Sequence, residues 1–80
     1  MTYADVIAKR MTEICKQKYI TINKLATLSG ITQSTLENLG NGHTKSPTLR
    51  TIHRIAVGLN MTVSEFLDFE AMNETIFEDE

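Results

Sequence analysis

The chain has 80 residues, 41% of them hydrophobic, a single cysteine and a net charge of −2. That length permits one small domain with a modest core, and the lone Cys15 excludes an internal disulfide. No run approaches the roughly 18 apolar residues of a membrane span, and the charges at Asp5, Lys9, Arg10, Glu13, Lys16 and Lys18 leave no apolar stretch for a signal peptide. A cytoplasmic protein with no membrane partner is expected.

Helical spacing dominates, and it predicts five short helices near residues 3–18, 22–29, 33–40, 48–59 and 63–68. In the first, Thr2 can cap the start, with Asp5 three residues on, near the positive end of the helix dipole. Ile7, Met11 and Ile14 then form one apolar stripe. Thr21 caps the second, Leu25, Ala26 and Leu28 are expected to face inward, and Gly30 stops it. Thr32 opens the third, which turns Leu36 and Leu39 inward and ends at Asn41 and Gly42.

The sole proline, Pro47, suits the first turn of the fourth helix. Its stripe is Leu49, Ile52, Ile55, Ala56 and Leu59, and Asn60 can close it. Thr62 to Glu65 reads T-x-x-E, a capping box opening the fifth helix through Phe66 and Leu67. Past Asp68 the periodicity weakens, although Phe69, Met72, Ile76 and Phe77 are apolar. The chain divides into a helical domain over 1–68 and an acidic tail over 69–80. Large apolar side chains in a tail want a surface to cover, so the tail is expected to pack on its own body or on a second copy. The fold class is all-α, with no strand.

Charge is segregated. Residues 1–64 carry all eight Lys and Arg against three acids, a net +5, whereas residues 65–80 carry seven acids and no base, a net −7. A basic body can meet phosphate; an acidic tail cannot.

The stretch from Ile22 to Asn41, INKLATLSGITQSTLENLGN, carries the functional signal. Ala26 sits four residues before Gly30, where two helices cross and a larger side chain would push them apart. Gly30 can take the left-handed conformation of the turn without steric penalty. Ile31 and Leu36 then pin the second helix onto the first. This is a helix-turn-helix by mechanism, with Ala26 and Gly30 as its structural turn.

The chain resembles the Cro-type (XRE, lambda-repressor-like) helix-turn-helix family over about residues 5 to 68. The resemblance rests on I-T-I-N-K-L-A from Ile20 to Ala26, on G-I-T-Q-S-T-L-E-N-L-G-N-G from Gly30 to Gly42, and on P-T-L-R-T-I-H-R-I-A-V-G-L-N-M-T-V-S-E-F-L from Pro47 to Leu67. It implies a five-helix, lambda-repressor-like domain that binds double-stranded operator DNA as a homodimer, with the third helix in the major groove. A transcriptional regulator, a repressor of phage or prophage type, follows from it.

In that docking mode Gln33, Ser34 and Asn38 face base edges. Gln33 and Asn38 carry the amide that pairs with adenine N6 and N7. Thr21 and Thr32 suit phosphate oxygens, as do Asn41 and Lys45, and His43 lies in the same loop. The family commonly places Gln where this chain has Ile22. It also pairs an Arg and a Glu where this chain has Cys15 and Gly40. Both members of the pair are absent together, so no lone charge is stranded.

His43, His53 and Cys15 lack metal-ligand spacing, and Gly40 and Gly42 belong to a helix stop rather than a phosphate loop. His53 and Arg54 are expected to face solvent. No metal, cofactor, small-molecule ligand or enzymatic activity is expected. The alternative class is a helical protein-interaction module or antitoxin-like partner, with the acidic tail as its working part.

Overall fold

The computed structural model describes residues 2–44 and 46–74 of the 80. Among these residues six helices follow one another: α1 (Tyr3–Lys18), α2 (Ile22–Ser29), α3 (Gln33–Gly40), α4 (Leu49–Gly58), α5 (Val63–Leu67) and α6 (Glu70–Glu74). The fold is all-helical, with no strand among the described residues.

Each of the first five helices begins on a threonine. Thr2, Thr21, Thr32, Thr48 and Thr62 hold extended backbones, and their hydroxyls accept the N–H of Asp5, Lys24, Thr35, Thr51 and Glu65. At Thr2 and Thr62 the third residue closes the box: Asp5 and Glu65 accept the cap's own N–H at 2.8 Å each. Those bonds favour the ionised carboxylates and lower both pKa values.

Three helices stop in the same way. Tyr19 (φ 58), Gly30 (φ 67) and Asn60 (φ 61) turn left-handed, and the following N–H groups of Ile20, Ile31 and Met61 reach back to the carbonyls of Cys15, Ala26 and Ala56.

Helices of eight and five residues are too short to hold alone in water, so packing holds them. Val6, Ile7, Leu25, Leu36, Leu39, Ile55, Leu59 and Phe66 are all fully buried. Each contributes on the order of 1.5–3 kcal/mol by leaving water. The helix pair α2–α3 rests on α1 and α4, and α5 closes the end of α4.

Four expectations are corrected. Pro47 lies outside α4, because the Thr48 hydroxyl takes the Thr51 N–H and so becomes the cap. Leu49, expected in the α4 stripe, is 68% exposed because it falls at the first helical position, off the packed face. Leu28 points outward from α2, whose inward face is completed by Ser29 instead. The count rises by one helix, α6, since Phe69 accepts the N–H groups of Met72 and Asn73 and starts a further turn.

Phe69, Ala71 and Met72 lie half-buried against the core of their own chain. Arg10 of α1 fixes this arrangement. Its Nε donates to the Phe66 carbonyl at 2.9 Å, its Nη2 to the Glu65 carbonyl at 3.0 Å, and its guanidinium sits 5.1 Å from the centre of the Phe69 ring. Ile76 and Phe77 lie outside the described residues.

Candidate nucleic-acid interface

The helix pair α2–α3 is built around the turn at Gly30. Gly30 adopts φ 67, ψ 30, and Ala26 is 4% exposed. Ile31 packs half-buried against the core, and its N–H returns to the Ala26 carbonyl at 3.1 Å. A side chain beyond Cβ at position 26 would be driven into the core cluster that surrounds it.

Thr32 then opens α3. Its hydroxyl accepts the Thr35 N–H at 3.3 Å and lies 2.9 Å from the Thr35 hydroxyl. Leu36 and Leu39 are buried, which fixes the roll of the helix. That roll leaves Gln33, Ser34 and Glu37 exposed on the opposite side, on the first turns of α3. Gln33 Nε2 donates to Glu37 Oε2 at 3.4 Å, a long, solvent-exposed bond that is easily exchanged for another partner. Asn38 is half-buried, and its backbone carbonyl accepts the N–H groups of His43 and Thr44.

Asn41 is exposed just past the end of α3, where its Oδ1 accepts the His43 N–H at 3.2 Å. Thr21 is exposed at the start of α2, and its hydroxyl holds the Lys24 N–H at 3.0 Å. Lys45 lies outside the described residues. The structure therefore brings Gln33, Ser34 and Asn38 together on one helix and sets Thr32 at its start. Asn41 follows at its end, and Thr21 stands apart, at the start of the preceding helix.

Two contacts were not anticipated. Glu37, one turn beyond Gln33, accepts a hydrogen bond from its amide; the four-residue spacing was the available signal. Arg54 of α4 is exposed, as expected, but its Nη1 also reaches the Gly30 carbonyl at 3.4 Å and so ties α4 to the turn. No local pattern announces a contact 24 residues apart.

Cys15 is buried and Gly40 exposed. Burial pushes the Cys15 thiol up, away from the reactive thiolate. No described group of His, Cys, Asp and Glu is arranged to hold a metal ion. Among the described residues no helix is long and apolar enough to cross a membrane.

Comparison with known proteins agrees with this geometry. The Cro/C1-type HTH DNA-binding domain matches residues 10–72. The SPbeta prophage-derived uncharacterized HTH-type transcriptional regulator YopS of Bacillus subtilis (strain 168) is 33% identical over 58 residues, 72% of this chain and 78% of that protein. The crystal structure of the prophage Lp1 protein 11 superposes with a TM-score of 0.84 at 35% identity, covering 94% of this chain and 99% of that one. A match over residues 10–72 spans α2 and α3 together with the helices that hold them, so the chain belongs to the Cro/C1-type helix-turn-helix DNA-binding family.

Proposed function

We propose that this DNA-binding regulator reads an operator through the first turns of α3, and that it acts on prophage-type genes. The observation that carries this is the exposed run Gln33, Ser34 and Glu37 on a helix whose other side is locked by Leu36 and Leu39. A rigid helix presenting hydrogen-bonding side chains at its N-terminal end suits insertion into the major groove. Gln33 supplies a donor–acceptor pair for adenine N6 and N7, and Ser34 donates or accepts. Asn38 lies one turn beyond Ser34 and adds a second amide. Glu37 suits the N4 amino group of cytosine.

Thr21, Thr32, Asn41 and Lys45 are assigned to phosphates, which set register without reading sequence. A single eight-residue helix reads only a half-site. Two copies on a palindrome would give the affinity that one copy lacks, so a homodimer on DNA is part of the proposal. Phe66, Phe69 and Met72 are committed to the chain's own body, which leaves them little area to offer a second copy.

Selection from a random duplex library, followed by binding across a salt series, tests the proposal. The expected result is one enriched palindromic site, bound more tightly than random duplex at every salt concentration, with affinity falling steeply as salt rises. No enrichment, with binding instead to a protein partner through the acidic tail, would favour the interaction-module alternative.

A further inference from the structure

Tyr19 is the most exposed large apolar side chain among the described residues, at 95%, and its backbone sits at φ 58, ψ 41. That left-handed conformation is unfavourable for an L residue with a Cβ; glycine takes it freely, and asparagine more readily than most. The two other left-handed helix stops in this chain use those residues, Gly30 and Asn60. All three stops make the same backbone bonds: the N–H groups of Tyr19, Gly30 and Asn60 meet the carbonyls of Lys16, Thr27 and Val57, and the next N–H reaches one residue further back. Tyrosine therefore adds nothing to the turn, and its ring covers none of the core.

Its surroundings are specific. Ile20 and Ile22, on either side of Thr21, are half-buried against the core and hold the link between α1 and α2 in place. Residues 16–24 carry Lys16, Lys18 and Lys24 and no acid. All three lysines are exposed and without an ion-pair partner among the described residues. At about 3.8 Å per residue, the Tyr19 Cα lies within roughly 7.6 Å of that of Thr21.

We infer that Tyr19 is a contact residue for the sugar–phosphate backbone of duplex DNA, its ring lying on deoxyribose and its hydroxyl donating to a phosphate oxygen beside the one assigned to Thr21. The strained, exposed aromatic and the unpaired lysines that flank it in the sequence are separate observations, and both fit a polyanion with an apolar sugar edge. A protein partner would have to bring acids to three lysines and an apolar ledge to the ring; one DNA strand carries phosphates and sugars in alternation. The inference rests on the DNA-reading assignment above and extends its footprint past α2.

The test compares the full chain with Tyr19→Gly, Tyr19→Asn, Lys18→Ala and Gln33→Ala, on the selected duplex and on random duplex across salt, alongside thermal unfolding. Removing the strain should raise the unfolding midpoint of Tyr19→Gly by a few degrees. The same variant should bind both duplexes about tenfold more weakly, with an unchanged salt slope because no charge is lost, and Tyr19→Asn should weaken binding in the same way. Lys18→Ala should shrink the slope by about 1. A more stable protein that binds DNA less well is not what a purely structural residue produces. Should either Tyr19 variant bind as tightly as the parent while Gln33→Ala still weakens the selected site, the inference fails and the DNA-reading assignment stands. Loss confined to the selected duplex also overturns it, since Tyr19 would then read sequence. A parent chain that binds no duplex removes both.

Discussion

Gly58, on the last turn of α4, faces Ser29 of α2 so closely that a Cβ built at Gly58 would overlap Ser29 Oγ and lie 3.1 Å from Leu25 Cδ1. This crossing is the main seam between the helix-turn-helix and the rest of the domain. Ser29 Oγ is buried there without a hydrogen-bond partner among the described residues. Gly58→Ala should therefore cost about 1–3 kcal/mol by overpacking. Ser29→Ala should be neutral or stabilising, because an unsatisfied buried hydroxyl disappears. In the double variant the Gly58→Ala penalty should shrink, since the atom it strikes has gone. Urea unfolding of the four proteins measures the coupling; strict additivity would contradict it.

Arg10 gathers two carbonyls and one ring, and those contacts join α1 to α5 and to the start of α6. Arg10→Ala should destabilise the chain by about 1–3 kcal/mol, from lost charged hydrogen bonds and the ring contact. Arg10→Lys should recover less than half of that, because an ammonium cannot span both carbonyls and stack on Phe69 as a planar guanidinium does. Equal stability of the Lys variant and the parent, by denaturant unfolding, would argue against the clamp.

The two capping boxes give acid sensitivity a definite sign. Asp5 and Glu65 have folded pKa values lowered by the backbone N–H of Thr2 and Thr62 and, less, by the threonine hydroxyls. A lowered folded pKa means that the unfolded chain binds protons first, so the contribution is complete above the ordinary values of 3.8 and 4.5. It drains as pH falls below them towards the folded values. Asp5→Asn/Glu65→Gln should show a shallower loss of thermal stability between about pH 5 and 2 than the parent. Matching slopes in the two proteins would mean that the boxes do not form in solution.

The fold was legible where local chemistry decides it. Thr2, Thr21, Thr32 and Thr62 each announce a helix start, and Gly30 and Asn60 each announce a stop. It was less legible where two local rules compete. Pro47 and Thr48 can both open a helix, and the hydroxyl bond decided for Thr48. Leu28 and Leu49 belong to the apolar pattern, but no neighbouring helix covers them. The exposed side of α3 followed directly from burying Leu36 and Leu39, so Gln33 and Ser34 could be named from the sequence. The bonds from Arg54 to Gly30 and from Arg10 to Glu65 and Phe66 could not, because they join residues 24 to 56 positions apart.

The central claim is that α3 reads bases, and Gln33 is its sharpest test. The Gln33 amide is exposed and held only by a 3.4 Å bond to Glu37, so Gln33→Ala should leave the fold intact. On the selected duplex the variant should bind about 5- to 150-fold more weakly, roughly 1–3 kcal/mol, and lose its preference at one base pair of each half-site while keeping its affinity for random duplex. Unchanged affinity and preference in a folded Gln33→Ala chain, measured on the same duplex and at the same salt, would contradict the assignment of α3 as the base-reading helix.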